Sequence, residues 1–223
     1  YMATTTGEVP FWENGISRYL NGKLTAQQYF QAFQGEPLGV LSRQWRDALG
    51  LKASVPVVAS ACAAGTQALV LAWAALAQGF VDRCFVVGVE LLARLTLEGF
   101  NCFQLLSPAV ARPFAAGRTG INLSEGAAVV CLETNRTLTR SPLAVLAGGG
   151  VTSDAFHMTG PQPDGEGIER AIQQALTTAQ CQPERINWVH AHGTGSHAND
   201  SAEGAALGRV FGEHQPYVSS TKS

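Results

Sequence analysis

A single cysteine stands between an apolar run and an alanine-rich stretch. Residues Val55 to Val58 are mostly β-branched, Cys62 follows among Ala and Ser, and residues 63–79 have the composition of a helix. Free N–H groups and the helix dipole at such an N-terminus stabilise a thiolate, and small neighbours leave room for a substrate. The pattern is consistent with a nucleophile, but an isolated cysteine is more often a small buried hydrophobic residue. The motif alone leaves both interpretations open.

A second chemical motif is the run from His190 to His197, which reads His-Ala-His-Gly-Thr-Gly-Ser-His. Residues two apart in a strand share a face, so His190 and His192 are predicted to point the same way. Together with His197 they could mimic a metal cluster, but nothing else in the sequence suggests the further ligand and supporting groups that a metal site needs. The alternative is that His192 ends a strand and acts as a neutral acid, base or hydrogen-bond donor. Gly193 to Ser196 would then let a substrate approach the backbone and would supply hydroxyl groups.

Lys222 is the third candidate. Ser219 and Lys222 formally match the Ser-x-x-Lys pattern of penicillin-binding enzymes, but that pattern needs its serine at a helix start, and Ser219 ends a β-branched run. Lys222 is therefore either an ordinary surface charge or a lysine that fixes carboxylates in a site.

The elements that must position these groups alternate between strands and helices. The strand before the cysteine, the helix after it and the apolar run Arg83 to Glu90 form a β-α-β unit, which implies a parallel sheet. The run Arg83 to Glu90 is nearly continuous in apolar residues, as is typical of a strand buried on both faces. Asn199 or Asp200 is predicted to cap a later helix, with Glu203 in its first turn.

Other segments complete an α/β pattern. Residues 91–126 show no clear periodicity and are predicted to form a long irregular segment, which in a compact domain is usually functional. Strands are also predicted at 1–6, 127–133, 143–147, 186–192 and 216–221, and helices at 11–20, 26–33, 44–49, 167–180 and 200–211.

Composition limits the class of protein. Of the 223 residues, 46% are hydrophobic and only 14% are charged, so a partner subunit or further sequence is expected to cover much of the surface. A net charge of −2 argues against nucleic-acid binding, and no apolar run is long enough to span a membrane. The 5 cysteines form no Cys-x-x-Cys pair, which fits neither a disulfide framework nor a zinc site. A cytoplasmic location is expected, because the cytoplasm is reducing.

Five motifs in a fixed order carry a resemblance to a known family. They are Ser60-Ala-Cys-Ala-Ala-Gly65, the run from Gly117-Arg-Thr-Gly120 to Ser124-Glu-Gly-Ala127, Asp154-Ala-Phe-His-Met158, His190-Ala-His-Gly-Thr-Gly-Ser196 and Val218-Ser-Ser-Thr-Lys222. Over its whole length the sequence resembles the β-ketoacyl-acyl-carrier-protein synthases of fatty-acid and polyketide synthesis, the condensing enzymes of the thiolase fold. The resemblance implies an α/β thiolase-like fold, layered α-β-α-β-α and incomplete in this chain. Residues 1–133 would form the N-terminal half without its first strand, and residues 134–223 would begin the C-terminal half.

The resemblance also implies roles for single residues. Cys62 would carry the acyl chain as a thioester, and His192 and Lys222 would serve the decarboxylation of malonyl-carrier protein. Thr194 and Ser196 would bind the phosphopantetheine arm, and Phe100 would limit the length of the acyl chain. Phe156 and Met158 would belong to a gating loop over residues 156–159. Asp200 and Glu203 would give structural support near the site.

Partners follow from the same resemblance. Substrates would arrive on the phosphopantetheine arm of acyl carrier protein, so no metal or redox cofactor is expected. Arg112 and Arg118 are candidates to meet that acidic carrier. A homodimer is expected through the strand from Cys84 to Val89, which would cover apolar surface.

Some features of the family do not occur in the 223 residues. These are the second histidine, which follows the lysine in a Gly-His-Gly-rich motif, and a Gly-Phe-Gly turn that completes an oxyanion hole. The sequence therefore predicts a fragment that alone does not catalyse condensation. The alternatives are a non-catalytic partner subunit, although chain-length-factor subunits replace the cysteine that is present here as Cys62, or an inert remnant. A thiolase or an initiating synthase is disfavoured, because neither is matched by His192-Gly-Thr-Gly195.

Overall fold

Two groups of contacting residues make up the structure, a computed structural model that describes residues 1–32, 37–157 and 160–221. Unit 1 consists of Tyr1–Gly99 and Ser124–Leu143, and unit 2 consists of Phe100–Leu123 and Ala144–Ser223. The predicted halves, divided after residue 133, follow the order of the chain rather than these contacts. That division stays a prediction.

Unit 1 contains a four-stranded sheet. Its strands are β1 (Met2–Ala3), β2 (Val57–Val58), β3 (Arg83–Glu90) and β4 (Gly126–Glu133), in the spatial order β2-β1-β3-β4. β1 pairs in parallel with both β2 and β3, which confirms the predicted parallel β-α-β unit and places β1 between its two strands. β4 runs antiparallel to β3 along the whole of both strands.

The helices of this part of the chain are α1 (Val9–Leu20), α2 (Ala26–Ala32), α3 (Pro37–Ala48), α4 (Ala64–Ala77) and α5 (Arg94–Cys102). Residue 33 of the second predicted helix lies outside the described residues. The prediction of an irregular segment after residue 90 is wrong over α5. The carboxylate of Glu13 in α1 accepts hydrogen bonds from the N–H groups of Arg94 (2.9 Å) and Leu95 (2.6 Å), which caps α5. A cap supplied by a distant helix leaves no local signal in the sequence.

The core of unit 1 forms where α4 packs on the sheet. Ala64, Ala68 and Ala72 recur every four residues, so they share one face of α4, and all three are buried. They belong to one cluster with the buried strand residues Ala3, Val58, Cys84 and Val86.

β3 is buried on one face, and the prediction of burial on both faces is wrong. Cys84 and Val86 are buried, but Phe85 between them is 55% exposed. Successive strand residues point to opposite faces, and α4 packs on the face that carries Cys84 and Val86.

β3 is also not an edge of its sheet. β4 pairs with all of Arg83–Glu90, and β1 pairs with Val87 and Gly88 on the other side. Edge-to-edge pairing of β3 with a second copy would therefore displace β1 or β4, and the predicted dimer contact at Cys84–Val89 stays a prediction. The edges left open by the strand order are those of β2 and β4.

Glu90, at the end of β3, fixes the chain that follows β1. Its carboxylate accepts hydrogen bonds from the N–H of Thr5 (2.5 Å), the hydroxyl of Thr6 (2.5 Å) and the N–H of Thr6 (3.2 Å). Burial raises the pKa of Glu90, but these hydrogen bonds outweigh burial and hold the pKa below its ordinary value. The carboxylate thereby joins the ends of two parallel strands.

Unit 2 combines helices with a two-stranded parallel sheet. Its elements are α6 (Glu166–Thr178), β5 (Trp188–His190), α7 (His197–Phe211) and β6 (Tyr217–Ser219). β5 pairs with β6, and His190 lies opposite Ser219. Arg209 of α7 and Glu169 of α6 form an ion pair of 2.5 Å that joins the two helices. No helix in the described parts of the chain is both long and apolar enough to cross a membrane.

The strand predicted at residues 143–147 is wrong. Leu143 is fully exposed, and the extended segment that follows lies along α6. The N–H of Gly149 donates to the hydroxyl of Thr178 (3.0 Å), and the N–H of Val151 donates to Oε1 of Gln174 (2.9 Å). An apolar run forms a strand only beside a neighbouring strand, and within the described residues no strand pairs with this segment.

We predict that Glu90→Gln lowers the free energy of unfolding of unit 1 by about 1 kcal/mol at neutral pH, because a neutral amide accepts weaker hydrogen bonds than a carboxylate. The folded pKa of Glu90 is depressed, so the carboxylate stabilises the fold above its unfolded pKa and loses this effect as the pH falls through the folded pKa. Urea unfolding at pH 7 and below about pH 4 should therefore show a difference between the two proteins that shrinks in acid.

The control for this prediction is Glu98→Gln. It removes an exposed ion pair with Arg94 and should change stability by less than about 0.5 kcal/mol. Equal losses in the two variants, or a Glu90→Gln effect that does not depend on pH, would contradict the role of Glu90.

Candidate active site

Cys62 lies at the entrance to α4 in unit 1. β2 ends at Val58, and a 3-10 turn over Ala61–Ala63 leads directly into the helix. Ala61 has a φ of +49°, in the left-handed region that a residue with a Cβ rarely adopts. The Cys62 side chain is exposed, so the interpretation as a buried hydrophobic residue is wrong. Backbone strain beside an exposed thiol at a helix start is of the kind found at functional sites.

The histidine run forms the connection between β5 and α7 in unit 2. β5 ends at His190, so His192 lies beyond the strand and the predicted shared face does not extend to it. His190 Nε2 lies 3.1 Å from the hydroxyl of Thr221, and His197 is exposed at the start of α7. In the described part of the chain, no three His, Cys, Asp or Glu side chains are grouped in a way that could hold a metal ion.

Glu203 of α7 holds the first part of this loop. Its carboxylate accepts the N–H of His192 at Oε1 (2.7 Å) and the N–H of Gly193 at Oε2 (2.8 Å). Asn199 Nδ2 also donates to Oε2, at 3.3 Å. Glu203 is only 6% exposed, and a buried carboxylate is stable only when donors replace the water it has lost. These contacts fix the backbone at His192.

Asp200 holds the second part of the loop and a distant turn. Its Oδ1 accepts the N–H of Gly195 (3.2 Å), and its Oδ2 accepts the N–H of Phe114 (2.8 Å). Phe114 has a φ of +61°, so its backbone is also left-handed. Arg118 Nε lies 3.7 Å from Oδ2 of Asp200 and forms an ion pair with it.

The two predicted hydroxyls differ in how they are used. Ser196 caps α7, because its Oγ accepts the N–H of Asn199 (3.3 Å), which corrects the predicted cap at Asn199 or Asp200. The hydroxyls of Thr194 and Ser196 lie 3.0 Å apart. Ser196 is buried and Thr194 is half-buried. The hydroxyl of Thr194 also accepts the N–H of Ser196 (3.3 Å), so both hydroxyls help to hold the loop.

Glycine is required where the loop crosses neighbouring backbone. The N–H of Gly120 donates to the carbonyl of Gly195 (3.1 Å), and their φ values are +130° and +84°. A Cβ on Gly120 would collide with the carbonyl oxygen of Leu105, and a Cβ on Gly193 would lie 2.7 Å from the Cβ of Ser220. A side chain at these positions would therefore force the segments apart.

The other predicted site residues are scattered or lie outside the described residues. Phe100 is half-buried near the end of α5, and Phe156 is 58% exposed. Met158 and Lys222 are outside the described residues. Within unit 2 the structure brings together His192, Thr194, Ser196, Asp200 and Glu203.

Sequence reasoning missed Phe114 and gave Arg118 a different role. The side chain of Arg118 is 15% exposed, and its guanidinium donates to Ala115 O (3.1 Å) and Ser201 Oγ (3.1 Å). Little of it remains for docking a carrier protein, whereas Arg112 is exposed. The Gly117-Arg-Thr-Gly120 motif indicated that this run belongs with the site, but nothing in it pointed to a contact 82 residues away with Asp200.

Two family models match the chain. The β-ketoacyl synthase N-terminal domain matches residues 11–137, and the β-ketoacyl synthase C-terminal domain matches residues 143–223.

Curated relatives and a solved structure are similar to the chain. Nodulation protein E of Rhizobium leguminosarum bv. trifolii is 39% identical over 183 residues, which are 78% of this chain and 45% of the relative. The 3-oxoacyl-[acyl-carrier-protein] synthase 2 of Mycobacterium bovis is 36% identical over 183 residues, which are 77% of this chain and 44% of the relative. A ketosynthase solved in complex with its chain length factor from Xenorhabdus doucetiae has a TM-score of 0.83 and 32% identity, covering 99% of this chain and 54% of that one. The chain spans somewhat less than half the length of these curated relatives.

We predict that Gly120→Ala destabilises unit 2 by more than about 2 kcal/mol, because alanine resists a φ of +130° and its Cβ would meet the Leu105 carbonyl. Hydrogen exchange of the β5 and β6 amides measures this loss. The matched control is Gly208→Ala in α7, where a Cβ meets nothing within 4 Å and alanine should stabilise the helix by about 0.5–1 kcal/mol. Wild-type protection in Gly120→Ala would show that the crossing does not need glycine.

Proposed function

The chain belongs to the β-ketoacyl synthase family, whose N-terminal domain model alone matches more than half of it, and on this basis we propose that it takes part in decarboxylative Claisen condensation. Similarity to a solved ketosynthase at a TM-score of 0.83 confirms the α/β thiolase-like fold expected from the sequence. The acyl group would be held on Cys62 and extended by a malonyl unit on acyl carrier protein. The proposed role is in fatty-acid or polyketide chain elongation.

In the first half-reaction, the thiolate of Cys62 attacks the carbonyl carbon of an acyl thioester. A new S–C bond forms at Cys62, the C–S bond to the carrier arm breaks, and the carrier thiol leaves with the proton that Cys62 has lost. In the second half-reaction, the bond between the malonyl methylene carbon and its carboxylate breaks and carbon dioxide leaves. The electron pair forms a thioester enolate, whose carbon attacks the Cys62 thioester, forms the new C–C bond and releases the thiolate.

His192 is proposed to donate a hydrogen bond to the enolate oxygen, which lowers the barrier to decarboxylation. Lys222 is proposed to support this step. Thr194 is the better candidate for binding the phosphopantetheine arm, because it is half-buried, whereas Ser196 is buried and caps α7. Phe100, Phe156 and Met158 are proposed to line the path of the acyl chain.

One observation carries this proposal. Cys62 is an exposed thiol at the start of a helix whose alanine face is buried against the sheet. The residue before it, Ala61, has a left-handed backbone although it is not glycine. A short turn of this kind presents a side chain outward at a position where N–H groups favour a negative charge.

Partners and location are proposed from the family. The printed name of the Mycobacterium bovis relative includes acyl carrier protein, and the same substrate carrier is proposed here. No cofactor of the chain's own is proposed, because the substrates bring the reactive thioesters. A cytoplasmic homodimer is proposed, with the open edge of β2 or β4 rather than β3 available for pairing. Sedimentation equilibrium distinguishes one copy from two.

A separate assay tests the 223-residue chain for turnover. Malonyl decarboxylation and elongation are expected to be absent, as the sequence predicts. Measured turnover would contradict that expectation and support the condensation directly.

We predict that an electrophilic synthase inhibitor labels Cys62 in preference to the other exposed cysteines. Cys102 and Cys131 are exposed and therefore serve as internal controls, and Cys84 is buried. A helix N-terminus contributes about 0.3–1 kcal/mol at an exposed site, which corresponds to only about a twofold to fivefold rate advantage. Selectivity above about tenfold, measured by mass spectrometry on peptides, therefore requires a binding site that recognises the inhibitor.

Iodoacetamide provides the comparison, because it reports thiol reactivity without recognition of the inhibitor. Cys62→Ala should abolish the selective label and leave the labelling of Cys102 and Cys131 unchanged. If the inhibitor labels Cys62 no more than about fivefold faster than those two cysteines, the chain is an inert remnant or a non-catalytic partner subunit.

A further inference from the structure

The half-buried Arg118 of unit 2 has no part in the reaction described above, yet five acceptor groups lie within its reach. We propose that Arg118 is a positioning residue for the loop that carries His192, because it supplies the countercharge for Asp200 and locks the turn of Phe114 against that loop. The importance of this loop rests on the proposed function, whereas the geometry rests on contacts within unit 2 alone.

The first argument is charge. The side chain of Asp200 is 1% exposed, and that of Glu203, one helical turn later, is also buried. Within the residues that the structure describes, Arg118 is the one Lys or Arg that forms an ion pair with either carboxylate. Removal of one partner from a buried pair leaves an uncompensated charge, which is strongly destabilising.

The second argument is geometry. Besides Ala115 O and Ser201 Oγ, the guanidinium of Arg118 donates longer hydrogen bonds of 3.4 Å to the carbonyls of Ser196 and His197. These acceptors lie on its own turn, at the end of the histidine loop and in the first turn of α7. A planar group with five donors can reach all three segments at once, whereas the ammonium of lysine is a single point charge.

The third argument is the pair of hydrogen bonds that the Asp200 carboxylate accepts while Arg118 balances its charge. Its two oxygens accept the N–H groups of Gly195 and Phe114, so one carboxylate fixes the loop that carries His192 and also the turn at Phe114. A Cβ on Gly193 would lie 3.0 Å from the Phe114 ring, which shows how closely that ring approaches the residue after His192. Loss of Arg118 should therefore loosen Phe114 and Gly195 together.

Hydrogen exchange of single amides tests the proposal in the 223-residue chain. In Arg118→Met, which keeps the aliphatic stem, the amides of Phe114 and Gly195 should exchange about a hundredfold faster than in the wild type. In Arg118→Lys, which keeps the charge, the increase should be closer to tenfold. The Val86 and Val130 amides of unit 1 are the internal reference. Arg112→Met is the matched control, since Arg112 is exposed and donates only a 3.4 Å bond to Gly117 O.

A double-mutant cycle separates charge from packing. In an Asp200→Asn background, Arg118→Met should accelerate exchange at least tenfold less than in the wild-type background, because the amide needs no countercharge. The imidazole signals of His192 in ¹H–¹³C spectra should shift in Arg118→Met and not in Arg112→Met. Should Arg118→Met unfold unit 2, added Asp200→Asn should restore folding, as judged by protection of the α6 amides.

Several results would overturn the proposal. The first is that Arg118→Met accelerates amide exchange less than Arg118→Lys does, and the second is that Arg118→Met has the same effect in the wild-type and Asp200→Asn backgrounds. The third is that the His192 signals do not shift in Arg118→Met. The fourth is that Arg118→Met unfolds unit 2 and the double variant is no more folded. Inhibitor labelling of Cys62 is measured separately in the wild-type chain. Failure of that labelling in the wild type rejects the proposed function and leaves the exchange result on Arg118 standing.

Discussion

Two buried carboxylates in the first turns of α7 hold the loop on which the proposed chemistry depends. Asp200 and Glu203 accept four backbone N–H groups, from His192, Gly193, Gly195 and Phe114. Hydrogen bonds to a charged acceptor stabilise by about 1.5–3 kcal/mol each, roughly twice a neutral bond. Because Asp200 lies in the first turn of α7, the helix dipole also favours its negative charge. One helix therefore determines the backbone on both sides of His192.

This arrangement explains the residue types around it. Gly193 and Gly195 have positive φ values, and a Cβ at either position would meet neighbouring atoms within 3 Å. Ser196 is the N-cap of α7, so the helix begins directly after the Gly-Thr-Gly part of the loop. The Gly-Thr-Gly-Ser order is thus dictated by packing as well as by any substrate.

The sequence predicts the parts of the structure whose causes are local, and misses the parts whose causes are distant. The apolar run Arg83–Glu90 is a strand with the predicted bounds, and the helix after Cys62 begins as its composition indicates. The run 143–147 is also apolar but forms no strand, because the described chain provides no neighbour for it. α5 and the role of Arg118 were not predictable, since Glu13 and Asp200 act on them from 81 and 82 residues away.

Two left-handed residues other than glycine, Ala61 and Phe114, show how strain is supported differently in the two units. Each conformation costs about 1–2 kcal/mol. At Phe114 the charged hydrogen bond from its N–H to Asp200 offsets that cost directly. The turn at Ala61 contains a neutral bond from Ala63 N–H to Ser60 O, which contributes only about 0.5–1.5 kcal/mol. The burial of Ala64, Ala68 and Ala72 in one cluster with Val58 adds to this bond, so the core of unit 1 helps to hold the turn that carries Cys62.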